Sequence, residues 1–585
     1  MIAITRNVAA TLALVVVTGA QGAPVDSTPP PIPANAIAVV QVNGLERVQT
    51  RFNELLRTAA PDRADEASRA IRGFIATALG GRDLSSLRPD GRLFVCIADL
   101  EKLPDDAGFT FLFPATDATD FRSKFLTDEE RKSLKKDGDL ELVQWEDRKE
   151  PYFLIALKEY VVVCSDRGIA EAYARGKLKT VDLSDDAARR FLDADLSLFV
   201  NVRELSARFG EQMKKLKSLA DLFLKGDTIQ GVSKSQLDQL KGVVEAAFQV
   251  LEDGTAAVLA IDFRPDGIAM RGVAQFGATT ATNQMLKKYQ LNPLAQLDTL
   301  PAGQSTYSTS ALNVPGSKMA TLLSGSFSVE DTDAAASEAI KRLQKELDGL
   351  DRGIVLTAGK LVGSGLEVSQ TNDAAKIAAA RLGLLKAVTH HGTFAKIPLK
   401  DKPDIRENTA TIGRFALHQA RLRFDFDAAV ADLPENARAA ARTALKQSVG
   451  GDELSVWIGS DGNTVLQLIG GDWAEAKVLA EAYVNRTAPL QSVPAYLNAR
   501  KKLPADASMV ITLDAAQVAE GLLASFNSVA GAPKSVAPKP AGAKTAFVVA
   551  ALILRPEQAR IEVFVPAEAV DVIRRLIEPL LDNDK

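Results

Sequence analysis

The sequence predicts an α+β protein of two related halves, each an antiparallel sheet with helices packed on one face. Three observations indicate this. Short apolar stretches typical of strands alternate with amphipathic stretches typical of helices. A hairpin followed by a helix recurs at 256–290, 454–484 and 547–581. A strand–helix segment near the N-terminus also recurs later in the chain. Antiparallel hairpins with helices on one face form the layers of an α+β domain.

The clearest copy of the recurring segment is LPADASMVITLDAAQVAEGLL, residues 503–523. Residues 33–52, PANAIAVVQVNGLERVQTRF, align with it from Pro504 onward without a gap. Asn43 and Asp514 then follow the strand at the same place. A side-chain oxygen there can accept hydrogen bonds from the first turn of a helix. We therefore expect both residues to cap helices.

Two weaker copies complete the set. In residues 193–209 Arg203 takes the capping position, so the sequence defines the start of that helix less well. In residues 300–313 only the opening Leu-Pro-Ala-Gly is kept, and the strand Ser305–Ser310 is polar. We expect that strand to be an edge strand or a loop. Unequal spacing between the copies argues against a simple solenoid.

The strands before position 280 follow from short apolar runs with turn signals between them. Residues 93–98 and 109–113 form two strands, and Asp117 or Thr119 caps the helix that follows. A three-stranded meander is expected at 140–145, 152–157 and 160–164, and a hairpin at 256–263 and 268–276. Further hairpins are predicted in the second half, at 454–459 with 464–469 and at 547–554 with 560–565.

Length and composition describe an ordinary globular protein. The chain has 585 residues, of which 46% are hydrophobic and 25% charged. The length allows about three to four domains. The formal net charge of −4 provides no basic field that would hold nucleic acid. We expect no nucleic-acid partner.

The N-terminus has the features of a secretory signal. Arg6 precedes an apolar run at Val8–Val17, and Ala20 and Gly22 are small residues at the positions that a signal peptidase requires. We place cleavage after Gly22; the alternative is an uncleaved N-terminal anchor. No later run reaches the roughly 18 apolar residues that span a bilayer. We therefore expect export to the periplasm or beyond the cell, with no transmembrane segment after cleavage.

The chain is then divided by composition and pattern. The predicted parts are a signal peptide at 1–22, a Pro-rich leader at 23–32, a first α+β half at 33–290, a linker at 291–301 and a second α+β half at 302–585, with a Pro/Ala/Gly-rich loop at 527–545.

The chain has only two cysteines, Cys96 and Cys164, each late in an apolar strand-like run. In an oxidising compartment they could form a disulfide if their strands are neighbours. The alternative is two buried free thiols, because spacing alone does not decide connectivity.

Catalytic and metal-binding motifs are missing. The three histidines, His390, His391 and His418, do not form the HExxH or HxxEH motif of zinc peptidases. His390 and His391 would point in different directions on any regular element, which favours a surface or turn role. Asp425 and Asp427 alternate on a strand-like run and are expected on its solvent-facing side. We predict no metal, no cofactor and no catalytic residue.

The Leu-Pro-Ala-Asp opening at 503–506, its weaker form at 33–35, the signal and the Pro-rich leader together resemble a family of uncharacterised secreted bacterial proteins. The members form a domain of unknown function built from repeated Leu-Pro-Ala-Asp strand–helix units. The resemblance implies an exported location and no known activity.

These observations favour an exported, non-enzymatic binding or assembly protein of the cell envelope, whose partner is an unknown protein or small ligand. A groove between halves or an exposed sheet face would be the binding site. Two alternatives stay open. One is an inactive relative of a two-halved peptidase that holds peptides. The other is a hydrolase whose acidic residues converge only in the fold.

Overall fold

A computed structural model describes residues 30–66, 81–98, 108–145, 150–181, 186–225, 251–289, 291–311, 329–350, 353–360, 364–520 and 545–572, with a few single residues beside these ranges. The strands, in chain order, are β1 (Ala38–Asn43), β2 (Arg92–Ile97), β3 (Phe109–Phe113), β4 (Lys135–Asp137), β5 (Leu140–Val143), β6 (Tyr152–Ala156), β7 (Val161–Cys164), β8 (Leu196–Val200), β9 (Gly254–Arg264), β10 (Gly267–Phe276), β11 (Asn292–Pro293), β12 (Thr306–Ser310), β13 (Val329–Asp331), β14 (Ile354–Gly359), β15 (Gly365–Gln370), β16 (Gly392–Phe394), β17 (Ile397–Pro398), β18 (Asp404–Ile412), β19 (Phe415–Arg423), β20 (Glu453–Asp461), β21 (Thr464–Gly470), β22 (Asp506–Ala507), β23 (Met509–Asp514), β24 (Phe547–Arg555) and β25 (Gln558–Pro566).

The helices in the same order are α1 (Leu45–Ala59), α2 (Ala118–Lys124), α3 (Asp128–Ser133), α4 (Arg167–Ala174), α5 (Asp186–Asp193), α6 (Val202–Lys225), α7 (Ala281–Leu286), α8 (Ala334–Asp348), α9 (Ala374–Ala387), α10 (Phe426–Ala429), α11 (Glu435–Ser448), α12 (Trp473–Val484) and α13 (Pro494–Arg500). The predicted meander and the predicted hairpins at 256–276 and 454–469 are confirmed. Asp117 caps α2 by accepting hydrogen bonds from two backbone N–H groups. The signal peptide, residues 23–29 of the leader and residues 527–544 of the predicted loop lie outside the described residues.

The described residues divide into two compact units. The first unit lies within Met1–Ser218, Ala247–Asn283 and Glu557–Ala567, and the second lies within Leu219–Ala246, Gln284–Pro556 and Glu568–Lys585. β25 therefore belongs to the first unit, although the chain on either side of it belongs to the second. The predicted linker at 291–301 lies in the second unit, where β11 pairs with β22.

Both units contain a large antiparallel sheet. In the first unit the strand order is β4-β5-β6-β7-β3-β2-β1-β8-β9-β10-β25. In the second it is β18-β19-β20-β21-β15-β14-β12-β23-β24. Each neighbouring pair in these orders is antiparallel, and the predicted α+β class is confirmed.

Helices pack on both faces of the first sheet. On the face that carries Cys96, α4 and α5 cover a core that includes Phe94, Val162 and Phe191. On the face that carries Val95, α1, α2 and the residues on either side of α3 cover another core, in which Phe121 of α2 and Phe125 just after it are fully buried. We refer to these two sides as the Cys96 face and the Val95 face.

The second sheet is also covered on both faces. α9 packs on the side that carries Val456 and Ile458. On the other side, Trp473 of α12 lies 5.2 Å from Trp457, measured between ring centroids. The prediction of helices on one face only is therefore wrong. Strands that are apolar at every position, such as Val161–Cys164, need cover on both sides, and all four of these residues are buried.

β12 is an interior strand, so its prediction as an edge strand or a loop is also wrong. It pairs with β14 on one side and β23 on the other. Its polar side chains find partners inside the sheet: Ser308 Oγ lies 2.7 Å from Thr357 Oγ1, and Thr306 Oγ1 donates to the Gly359 carbonyl. Hydrogen-bonded hydroxyls can be buried at little cost, which is why a polar strand is tolerated here.

One of the predicted helix caps is wrong. Asn43 is only 1% exposed, and its amide Nδ2 donates to the carbonyls of Leu192 and Asp193. α1 begins after Gly44, whose φ of 77° favours glycine. For α6, whose start the sequence defines less well, Asn201 Oδ1 accepts the hydrogen bond from Glu204 N.

The cap predicted at Asp514 is confirmed. One of its carboxylate oxygens, Oδ1, accepts hydrogen bonds from the backbone N–H groups of Ala516 and Gln517.

A candidate binding surface

Large apolar side chains are exposed at few positions in the described part of the chain: Leu259, Met285, Val478, Leu497 and Ile561. Leu259 is 45% exposed and Ile561 is 46% exposed. These two lie on neighbouring parts of the same sheet, in the first unit. Single exposed apolar residues are ordinary, but a contiguous group of them marks an interaction site.

Leu259 and Ile561 stand on opposite sides of Gly272. The register pairs Gly272 of β10 with Leu259 of β9 and with Ile561 of β25. Two strand spacings separate the outer residues, which is about 9.6 Å. A Cβ added at Gly272 would meet Ile561 Cγ2 at 2.7 Å, so the isoleucine leans over the glycine. The missing side chain at Gly272 lets Ile561 pack across β10.

The side chains around Gly272 on this side of the sheet follow the two-residue period of the strands. All of them are apolar, and each is partly or largely exposed. We call them the apolar face: Leu198, Ala257, Leu259, Ile261, Met270, Gly272, Ala274, Ala559, Ile561 and Val563. They come from β8, β9, β10 and β25 and form part of the Val95 face of the first sheet.

The charged residues of the same strands lie on the opposite, Cys96 face. Arg271 lies 3.3 Å from Asp262, and Glu562 pairs with Arg190 and Arg560. Burial raises the pKa of the Asp262 carboxyl, while the Arg271 guanidinium opposes that rise. The alternation of charged and apolar residues along β25 therefore leaves the apolar face without a charge.

Elsewhere the Val95 face is covered. At the C-terminal end of β9, Phe52 of α1 packs edge-on against Phe263, with ring centroids 5.9 Å apart. Toward β2 and β3, Val95 and Phe111 pack against two clusters of buried side chains. Phe209 of α6 packs against one of them, which contains Ile97 and Phe109. Among the residues that the structure describes, this cover ends near β8, and the apolar face begins there.

Two arginines converge on one buried carboxylate in the first unit, and the arrangement is structural. Asp195 is completely buried and accepts hydrogen bonds from Arg47 Nε at 3.0 Å, Arg51 Nη1 at 2.9 Å and Phe263 N at 2.9 Å. A carboxylate with its oxygens occupied by these donors is not free to act as a general base. The group connects α1 to β8 and β9.

Both cysteines are free and buried. The register pairs Cys96 with Thr110, and Thr110 with Cys164, so β3 separates the two thiols. Two strand spacings amount to about 9.6 Å, whereas disulfide-bonded cysteines have Cα atoms less than about 7 Å apart. Burial raises the pKa of both thiols, which keeps them protonated.

The histidines do not assemble a metal site. His390 and His391 lie in an exposed turn, as expected, but their rings are only 3.7 Å apart. The expected divergence of the two side chains applied to a regular element, and a turn does not follow that geometry. His418 is half-buried on β19 and its Nδ1 accepts from Asn408 N at 3.4 Å. Among the described residues, no group of three or more potential metal ligands occurs.

Asp425 and Asp427 do not lie on a strand, contrary to the prediction. β19 ends at Arg423, and Asp425 caps α10 by accepting a hydrogen bond from Ala428 N. Asp427 forms an exposed ion pair with Arg442. The two carboxylates therefore serve separate structural roles.

Comparisons identify no relative. No protein-family model matches the chain, and no curated protein or solved structure is similar enough to match it. None of the helices in the part of the chain that the structure describes is both long and apolar enough to span a bilayer.

The sequence analysis missed the apolar face. Its signals are present in the sequence: Gly272 interrupts an otherwise strand-like run, and a glycine inside a strand often marks a close approach or an opening. β25 alternates Arg560 and Glu562 with Ile561 and Val563. Neither pattern indicates which side of the sheet stays uncovered, because that depends on helices far away in the sequence.

Proposed function

We propose that this chain is an exported, non-enzymatic binding or assembly protein of the cell envelope that binds a partner protein through the apolar face. The observation that carries this proposal is the uncharged sheet face around Leu259, Gly272 and Ile561. Exposing such a surface to water is unfavourable by about 25 cal/mol per Å² of apolar area. A partner that covers it recovers that free energy.

The export part of the proposal rests on the sequence of the first 22 residues. Cleavage after Gly22 would give a mature chain that begins at Ala23. N-terminal sequencing of the protein from its native host tests this. A chain that retains Met1 or the apolar run at Val8–Val17 would contradict cleavage and favour the alternative of an N-terminal anchor.

The proposal also holds that the two units are related by duplication. From β1, the first sheet runs β1-β2-β3-β7-β6-β5-β4, with β8 on the other side of β1. From β12, the second sheet runs β12-β14-β15-β21-β20-β19-β18, with β23 on the other side of β12. The same path through the sheet supports a common origin. Kinship with secreted proteins built from Leu-Pro-Ala-Asp units stays a prediction.

The binding function is tested by site-directed photocross-linking in the native host. A photoreactive residue replaces Leu259 in the full chain, and a second variant carries it at Val478, an exposed apolar position of the second unit. We expect a reproducible adduct with another protein from position 259 and none from position 478. Failure of position 259 to capture any protein, or equal capture from both positions, would overturn the proposal.

A further inference from the structure

We infer that the apolar face takes one amphipathic α-helix of the partner protein, about three turns long and laid along β10. This inference rests on the proposed function, since it names the kind of partner segment that the proposed surface binds. It follows from the backbone pairing of the strands, the dimensions of the face and its apolar character.

The backbone of β8, β9 and β10, the three strands at the centre of the apolar face, is already paired on both sides. β8 lies between β1 and β9, β9 between β8 and β10, and β10 between β9 and β25. An extended segment laid on this surface would find no backbone partner and would leave its own N–H and C=O groups unsatisfied, which is unfavourable. A helix satisfies these groups internally and needs only side-chain contacts.

The size of the face excludes a larger partner surface. Three strand spacings from β8 to β25 measure about 14 Å, and the four residue steps from Ala257 to Ile261 measure about the same along the strand. With the reach of the outer side chains, the area is roughly 400 Å². A stable dimer buries about 800 Å² on each partner, so a second copy of this chain docked by this face alone would be too small an interface.

A single helix matches the dimensions of the face. Leu259 and Ile561 lie about 9.6 Å apart on either side of Gly272, over which Ile561 packs. A helix is about 10–12 Å wide with its side chains, and about 10 residues, close to three turns, would cover the length of the face at 1.5 Å per residue. The absence of charge on the face requires an apolar stripe at positions i, i+3, i+4 and i+7 of the partner helix.

The partner residues that cross-link to the face test the helix directly. Photoreactive residues are placed singly at Leu259, Met270 and Ile561 of the full chain, and the adducts are mapped by mass spectrometry. We expect partner sites that fall in one segment with spacings of three, four or seven residues. Sites two residues apart would indicate an extended segment and overturn the inference, as would adducts within this chain or with a second copy of it. Absence of any adduct would instead contradict the proposed function.

A matched set of substitutions gives a second readout. With the photoreactive residue at Met270, we expect Leu259→Lys and Ile561→Lys to lower the adduct yield at least tenfold each, because a charge would be buried beneath the helix. Val478→Lys, at an exposed apolar position outside the face, should leave the yield unchanged. Unchanged circular dichroism and an unchanged unfolding midpoint establish that the variants fold. Folded Leu259→Lys and Ile561→Lys variants that cross-link as well as the parent would overturn the inference.

Discussion

Asn43 and Asp514 occupy the same place in two segments of matching sequence, yet they make opposite kinds of hydrogen bond. Asp514 accepts hydrogen bonds from the first turn of the helix that follows it. Asn43 donates hydrogen bonds to carbonyl groups at the end of α5. The helix that follows it, α1, begins after Gly44 without a side-chain cap. A carboxylate can act only as an acceptor, whereas an amide can donate, so the two side chains are not interchangeable.

This difference predicts unequal effects of swapping the two residue types. Asp514→Asn keeps an acceptor oxygen and should cost less than about 1 kcal/mol. Asn43→Asp would place a buried carboxylate against the Leu192 and Asp193 carbonyls and should cost more than about 2 kcal/mol. Urea unfolding measures both free energies. Equal losses in the two variants would contradict the assigned roles.

Asp195 predicts a large and specific loss of stability. In Asp195→Asn, Arg47 and Arg51 would lose the charge that compensates their partial burial, and we expect a loss of about 3–5 kcal/mol. Asp427→Asn is the matched control, because its ion pair with Arg442 is exposed and should contribute at most about 1 kcal/mol. Urea unfolding measures the free energy of unfolding of both variants. Similar losses for the two would show that the Asp195 ion pairs do not stabilise the fold.

Asp331 predicts a change in stability at acidic pH. Burial acts to raise the pKa of this carboxyl, but hydrogen bonds from Thr389 and Asp333 outweigh burial and hold the pKa below its ordinary value. A carboxyl with a lowered pKa in the folded state stabilises the fold above its ordinary pKa near 3.8, and this contribution disappears as the pH falls further. Asp331→Asn should therefore be less stable than the parent at pH 7. Unfolding curves between pH 7 and about pH 2 should show that difference shrinking; a difference independent of pH would contradict it.

The two thiols predict a change of reactivity on unfolding. Burial raises the pKa of Cys96 and Cys164, so little thiolate forms near neutral pH. An aromatic disulfide reagent should therefore label neither thiol in the folded chain and both in denaturant. A mild oxidant should also leave both free in the folded state. An intramolecular disulfide in the folded protein, found by peptide mapping, would show that β2 and β7 approach more closely than their register allows.

Local signals in the sequence were sufficient for most hairpins and for several helix caps. The turn at Arg264-Pro265-Asp266-Gly267 determines a hairpin through residues that are adjacent in sequence. The interior place of β12 depends on β14 and β23, and β23 lies some two hundred residues away. No local pattern contains that pairing. The role of Asn43 likewise depends on carbonyls at Leu192 and Asp193.

The candidate surface was less predictable than the fold. The alternation of apolar and charged residues in β25 assigns Ile561 and Val563 to one side of a sheet, and Arg560 and Glu562 to the other. From sequence alone the charged side would be assigned to solvent. The structure places those charges in ion pairs, whereas Ile561 on the apolar side is 46% exposed and no helix in the described part of the chain covers it. Pairing between distant charges is a property of the folded chain and has no local signature.

The membership of β25 in the first unit has a consequence for the order in which the protein can be completed. During synthesis β25 emerges nearly three hundred residues after β10, the strand that it pairs with. Until then, β10 keeps an unpaired edge, which is prone to associate with other chains. The nascent chain thus has a long interval in which a chaperone, or passage across a membrane before folding, would protect it. A truncation just before Gln558 would leave that edge open permanently.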